Sequence, residues 1–128
     1  MRGAAIRGRF AVMGAGEQPV DRYGNESGKL VRDRIPQIIR EDGAEPVTYT
    51  ASPQEYRDRL RDKLVEEAAE VLEADDEKAP EELADVLEVV HALAADLGID
   101  TDQLEKIREA KASERGGFAE RIVWTGNR

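Results

Sequence analysis

The chain has 128 residues and a mass of 14.2 kDa; 40% of the residues are hydrophobic, 37% charged and 5% aromatic. This length allows one domain with a single core. The high charge, with no apolar run near the roughly 20 residues of a spanning helix, excludes a membrane-spanning protein. The absence of cysteine excludes disulfides and thiolate metal sites. Abundant Glu, Ala, Leu, Arg and Lys favour an all-α protein, which we expect to be cytoplasmic.

The charge is unevenly distributed along the chain. Residues 1–28 carry four arginines and three acids, whereas the other hundred residues carry 15 basic and 25 acidic side chains. A surface that binds nucleic acid needs Lys and Arg to neutralise phosphates, so this balance argues against a polymeric nucleic acid as the partner. It does not exclude a small phosphate ligand that is bridged by metal cations.

The first 28 residues are rich in glycine and show neither helical nor strand periodicity. We therefore predict that residues 1–28 are a flexible, dispensable extension. The domain itself is expected to comprise residues 29–128.

Two helices are predicted in the first half of this domain. A short one includes Pro36 in its first turn and ends before Gly43. After a brief extended segment at residues 47–50, the capping-box sequence of residues 52–55 opens a second helix that runs to about Ala74.

Two further helices are predicted in the second half. Pro80 opens the third, which Gly98 ends, and the fourth runs from Asp100 or Thr101 to Arg115, where two glycines follow. The tail contains Ile, Val and Trp residues that are apolar enough to pack on another surface. Together the segments predict an antiparallel bundle of about four helices, completed by oligomerisation.

Four carboxylates lie on or beside the apolar faces of the second and third helices. Glu67 lies at the edge of the apolar stripe of the second helix, with Glu70 beside it. On the third helix, Glu82 lies inside the wide arc of apolar residues and Asp85 lies at the margin of that arc. A buried carboxylate requires protonation, a basic partner or a multivalent cation. Oxygen ligands without His or Cys favour Mg²⁺, with Mn²⁺ possible. Since such acidic pairs are common on helices, an ordinary solvated face is the alternative.

Several basic residues are candidates for binding phosphate. Lys63 precedes Glu67 by one turn, and Lys111 and Arg115 share a face of the fourth helix. We predict that these three basic residues contact the substrate. For each of them alone, and for the cluster of Lys29, Arg32 and Arg34, ion pairing with nearby acids is the alternative.

The acidic motif resembles that of a known superfamily. Glu66-Glu67-x-x-Glu70 followed by Glu82-x-x-Asp85 is similar to the EExxE…ExxD motif of MazG-like all-α nucleotide pyrophosphohydrolases. The run at residues 29–36 (KLVRDRIP) and the element at residues 115–118 (RGGF) resemble the phosphoribosyl-ATP pyrophosphohydrolase-like group of that superfamily. The likeness covers about residues 29–125.

The resemblance implies an enzyme that uses Mg²⁺ to hydrolyse a nucleoside triphosphate to the monophosphate and pyrophosphate, in the house-cleaning of aberrant nucleotides. It also implies a homodimer or homotetramer. The implied metal ligands are Glu67, Glu70, Glu82 and Asp85, and the implied catalytic residues are Glu66, Glu67 and Glu70. Two alternatives stay open: a phosphoribosyl-ATP pyrophosphatase of histidine biosynthesis, and a non-enzymatic helical dimer that binds nucleotide.

Overall fold

The computed structural model describes residues 28–128 and is all-α, as the sequence predicts. Its helices are α1 (Ile35–Glu41), α2 (Pro53–Glu73), α3 (Ala79–Asp96) and α4 (Thr101–Arg115), and the described residues contain no strand. All four begin and end within two residues of the predicted positions. The prediction of a flexible extension concerns residues that lie outside the described part, apart from Gly28.

Local signals account for where these helices begin and end. Ser52 Oγ accepts a hydrogen bond from the Glu55 backbone N–H at 3.2 Å, and Pro53 occupies the first turn of α2. Gly98 follows α3 with a φ of 81°, a conformation that a side chain would strain. At the start of α4, Asp100 and Gln103 exchange both hydrogen bonds of a capping box, at 2.8 and 2.9 Å.

The capping box predicted at Ser52 is only half formed. Ser52 accepts the backbone bond, but the Glu55 carboxylate binds Arg59 one turn later, with 2.7 Å between Arg59 Nε and Glu55 Oε2. The buried guanidinium holds the carboxylate that the motif would have used to close the box. The full box therefore occurs at α4, where the carbonyl of the Gln103 side chain is available to the Asp100 N–H.

α2 and α3 form an antiparallel hairpin, which is the main packing unit of the chain. Arg57 near the start of α2 binds Asp96 at the end of α3, with 2.9 Å between Nε and Oδ2. At the opposite end of the hairpin, Glu70 lies near Glu82. α4 packs against α3, and among the described helices it has no contact with α2.

The apolar core of the single chain is small. Among the described residues, the buried hydrophobic ones are Leu60, Val89 and Ala94, whereas Leu83 and Leu87 on α3 are 56% and 54% exposed. The apolar arc of α3 is therefore only partly covered by α2 and α4. Burial of the remainder by a second chain, as the resemblance implies, stays a prediction.

The C-terminal tail shows the same exposure. The segment from residue 116 to 128 forms no helix or strand, and Phe118 and Trp124 are largely exposed. Within the described part of the chain, the tail thus contacts no apolar surface that would bury these rings. None of the helices in residues 28–128 is both long and apolar enough to cross a membrane.

Candidate metal centre

Three carboxylates converge where α2 meets α3. Glu67 and Glu70 lie one turn apart on α2, and Glu82 lies in the first turn of α3. Each offers an oxygen atom, and these three oxygens all lie within 4.8 Å of one another. The hairpin therefore gathers the acids that helical periodicity placed on its facing sides.

Glu67 is the most deeply buried of the three. Helical periodicity places Glu67 at the edge of the apolar stripe of α2. Only 1% of the residue is exposed, however, so it lies inside the α2–α3 interface. Its Oε2 lies 3.7 Å from Lys63 Nζ. Burial of a charge next to two like charges costs several kcal/mol unless opposite charge compensates for it. The Lys63 ammonium at this distance offsets part of the charge of Glu67.

The donor set suits a hard divalent cation. Oε1 of Glu67 and Oε2 of Glu82 are shielded from solvent and accept no hydrogen bond from the described residues, although both side chains make other contacts. The three carboxylates supply oxygen donors alone, which Mg²⁺ and Mn²⁺ prefer to the nitrogen and sulfur ligands of zinc sites. Glu67, Glu70 and Glu82 thus fit the metal that the sequence motif implies.

Asp85 lies outside this group of three. Its Oδ1 accepts a hydrogen bond from Arg32 Nη2 at 2.6 Å, across 53 residues of sequence. Asp85 shares a face of α3 with Glu82 because the two are three residues apart. In this structure, then, the fourth predicted ligand is bound to a guanidinium beside the cluster.

Glu66 and Lys63 line the outer side of the cluster. Lys63 Nζ lies 3.1 Å from Glu66 Oε2, and Lys29 Nζ lies 3.9 Å from the same oxygen. A cavity of about 70 Å³ opens here. Its lining comprises Gly28, Lys29, Leu30, Arg59, Asp62, Lys63 and Glu66. The predicted phosphate-binding Lys63 therefore lies between the carboxylate cluster and an open cavity.

The other two predicted phosphate contacts lie elsewhere. Lys111 and Arg115 are exposed on the last turns of α4, which packs against α3 and does not contact α2. A single chain thus does not bring them together with Lys63. Their role as substrate contacts stays a prediction.

Residues 28–34, here called the basic segment, lie across α2 and α3, which the sequence does not predict. Lys29 reaches Glu66 on α2, and Arg32 reaches Asp85 on α3. The sequence shows the basic run before Pro36, but which acids this run binds depends on tertiary contacts. Ion pairing, the alternative weighed for both residues, is what the structure shows.

A partly buried polar network fixes one end of the basic segment. Arg59, itself buried, donates from Nη1 to the backbone carbonyl of Gly28 at 2.7 Å and from Nη2 to the Tyr49 hydroxyl at 3.3 Å. The Tyr49 hydroxyl in turn donates to the Glu55 carboxylate. This last bond stabilises the neutral phenol and raises the pKa of Tyr49 above its ordinary value of 10.0.

The fold and the site together define an all-α protein with a carboxylate cluster on a helical hairpin. Residues 29–112 match the phosphoribosyl-ATP pyrophosphohydrolase family, and the chain belongs to it. This family is part of the MazG-like superfamily of nucleotide pyrophosphohydrolases, so the resemblance drawn from the motifs is confirmed and the chain is a member of an enzyme family.

One curated relative is also similar to this chain. It is an uncharacterised protein of Mycolicibacterium smegmatis, 53% identical over 47 residues, which make up 37% of this chain and 48% of the relative. The match therefore spans about half the length of that relative. No solved structure matches the chain significantly.

Proposed function

We propose that the chain is a nucleoside triphosphate pyrophosphohydrolase that depends on Mg²⁺, or on Mn²⁺ in its place, and releases a monophosphate and pyrophosphate. The observation that carries this proposal is the convergence of Glu67, Glu70 and Glu82 within the segment that matches the family. A pure interaction bundle has no need of three acids at its helix–helix interface. The proposed role is the removal of aberrant nucleotides in the cytoplasm.

The three converging carboxylates are the proposed metal ligands, with Asp85 as the fourth. A bound divalent cation offsets the charge of the phosphate chain and lowers the pKa of an attacking water. Glu66 or Glu70 accepts the proton of that water, because an acid not fully engaged in coordination retains a basic oxygen. Lys63, 3.1 Å from Glu66, supplies positive charge for the phosphate oxygens.

The proposed partner is a small phosphoanhydride, and the proposed assembly is a homodimer or homotetramer. Lys111 and Arg115 belong to this proposal as contacts that another chain's site would use, since α4 does not contact α2 in its own chain. The family description makes phosphoribosyl-ATP a second candidate substrate. The non-enzymatic alternative is a helical dimer that binds nucleotide without turnover.

The test is pyrophosphate release from a panel of nucleoside triphosphates and phosphoribosyl-ATP, with Mg²⁺ and with EDTA. We expect release only with the metal, and a loss of at least about 100-fold in Glu67→Gln and in Asp85→Asn, since even partners outside the coordination shell are worth 10- to 100-fold. Glu73→Gln is the matched control, because Glu73 is an exposed acid on the same helix, one turn beyond Glu70.

The panel also separates the alternatives. Preference for phosphoribosyl-ATP over every triphosphate would assign the chain to histidine biosynthesis. Nucleotide binding by a folded protein with no turnover on any member would favour the binding module and contradict the enzyme.

A further inference from the structure

Arg32 stands beside the candidate metal centre as a cation supplied by the protein itself. Its Nη2 lies 2.6 Å from Asp85 Oδ1, and Asp85 is one turn from Glu82 on the same face of α3. The guanidinium side chain is 54% exposed, so it has room to move outward into solvent. Asp85 is thereby held by a positive charge beside the three converging carboxylates.

The backbone that carries Arg32 is fixed on both sides. Four residues earlier, the Gly28 carbonyl accepts a hydrogen bond from the buried Arg59 at 2.7 Å. The Arg32 carbonyl itself accepts from the Ile35 N–H at 3.0 Å, in the turn that leads into α1. The fixed backbone therefore holds the Arg32 guanidinium near Asp85, whereas a lysine or arginine on a mobile segment would sample many positions in solvent.

A divalent cation and this guanidinium compete for the same carboxylate. Two cations on one carboxylate group lie only a few ångströms apart and repel each other. Coordination by Asp85 and its ion pair with Arg32 thus oppose each other.

Building on the proposed function, we infer that Arg32 is a positioning residue that exchanges partners: it binds Asp85 in the metal-free chain, and metal binding releases it to the phosphate chain of the substrate. The guanidinium fork matches phosphate oxygens as well as it matches a carboxylate. Arg32 weakens the affinity for free metal and strengthens the affinity for a metal-bound phosphate ligand.

The first experiment measures Mn²⁺ binding by electron paramagnetic resonance, without nucleotide. Arg32→Ala binds Mn²⁺ about two- to fivefold more tightly than the wild type, the range expected for loss of a partly exposed ion pair. Arg57→Ala is the control for the lost charge, because the Arg57–Asp96 pair is of similar geometry at the far end of the hairpin. Unchanged or weaker binding in Arg32→Ala, or an equal gain in Arg57→Ala, overturns the inference.

A double-mutant cycle shows whether the gain passes through Asp85. In the Asp85→Asn background, the change Arg32→Ala leaves Mn²⁺ affinity unaltered, because the competition has already been removed. A gain that persists in this background overturns the inference. The Arg32 side chain is 54% exposed, so we expect both variants to stay folded.

The second experiment measures binding of inorganic pyrophosphate at saturating Mn²⁺. Arg32→Ala loses about tenfold in affinity, as for a charge-assisted hydrogen bond, while Arg57→Ala does not. Equal affinity in Arg32→Ala and the wild type overturns the exchange. The failure of the proposed function looks different, since a wild-type chain that binds no Mn²⁺, or Glu67→Gln that binds it equally well, contradicts the metal centre itself.

Discussion

Glu67 is the residue at which the demands of folding and of the proposed chemistry conflict. A carboxylate that is 1% exposed, with two others within 4.8 Å, is stabilised by Lys63 on its own helix only in part. Its burial contributes little to a metal-free fold, because desolvation and like-charge repulsion oppose it. The same arrangement creates a strongly negative electrostatic potential, which attracts a divalent cation.

We therefore expect Glu67→Gln to stabilise the metal-free protein by about 1–3 kcal/mol, because the amide keeps the shape of the side chain and removes the buried charge. Calorimetry in EDTA measures this as a higher unfolding temperature. Mg²⁺ then raises the unfolding temperature of the wild type but not that of the variant. A variant that is less stable than the wild type in EDTA would contradict this view, and the exposed Glu73→Gln is the control.

A second prediction at this scale concerns alkaline pH. The pKa of Tyr49 is raised because its hydroxyl donates to Glu55, and this contribution to stability is fully present below the ordinary pKa of 10.0. It is lost as pH rises through the higher pKa of the folded state, because the unfolded chain releases its proton first. The difference in free energy of unfolding between the wild type and Tyr49→Phe is then constant up to about pH 9 and shrinks at higher pH.

Denaturant unfolding between pH 7 and 11 measures this difference. Absorbance titration of tyrosinate gives an independent reading, since Glu55→Gln should lower the pKa of Tyr49. A titration that is identical with and without the Glu55 carboxylate would show that the hydrogen bond does not control this group.

Among the structural elements, the helices are what the sequence predicts best, because their signals are local. Pro53 and Gly98 act within one turn of where they stand, and the Ser52 hydroxyl reaches only three residues ahead. The closing of the hairpin follows from the short link between α2 and α3. Helical periodicity and this link together account for the convergence of Glu67 with Glu82.

Contacts made over long stretches of sequence were not predictable in this way. The bonds from Arg59 to Gly28 and from Arg32 to Asp85 span 31 and 53 residues, and no period or cap in the sequence indicates them. For the same reason, Glu55 was expected to close a capping box and instead binds Arg59. The local capping rule was wrong for Glu55 because the buried Arg59 guanidinium binds its carboxylate.

The buried pair of Glu55 and Arg59 lies where α2 is joined to the basic segment, because Arg59 also binds the Gly28 carbonyl. Arg59→Ala leaves the Glu55 carboxylate buried without its guanidinium, and we expect a loss of about 3–5 kcal/mol in the free energy of unfolding. The double variant Glu55→Leu/Arg59→Met removes both charges and should lose much less. Arg57→Ala, which breaks an exposed pair, should cost less than about 1 kcal/mol in the same urea titrations.

At the scale of the whole molecule, residues 28–128 leave many large apolar side chains exposed. Leu83 and Leu87 lie one turn apart on α3 and are both more than half exposed. Among residues 28–128, three hydrophobic residues are buried. The sequence predicts the wide apolar arc of α3, and the exposure of these two leucines agrees with it. Burial of this arc by a second copy of the chain, which the predicted oligomer requires, stays a prediction.

We expect the wild type to sediment as a dimer or larger assembly and Leu83→Asp/Leu87→Asp to sediment as a monomer. Burial of charge at an apolar contact between chains costs several kcal/mol, which is enough to dissociate a homodimer at micromolar concentration. Analytical ultracentrifugation is the measurement, and Val47→Asp is the control at a fully exposed residue outside the helices. Unchanged sedimentation of the double variant would show that another face joins the chains.

The hairpin of α2 and α3 has a consequence for the order of events as the chain folds. Only five residues, 74–78, link its two helices, so Glu67, Glu70 and Glu82 meet by a short-range loop closure of the kind that takes well under a microsecond. The basic segment must close a far longer loop before Arg32 arrives, and longer closures are slower and entropically more costly. Apart from Lys63 on the same helix, dissolved cations are therefore the first counter-charge that these acids encounter. Nascent chains in a medium rich in Mg²⁺ should consequently collapse sooner than chains in a chelating one.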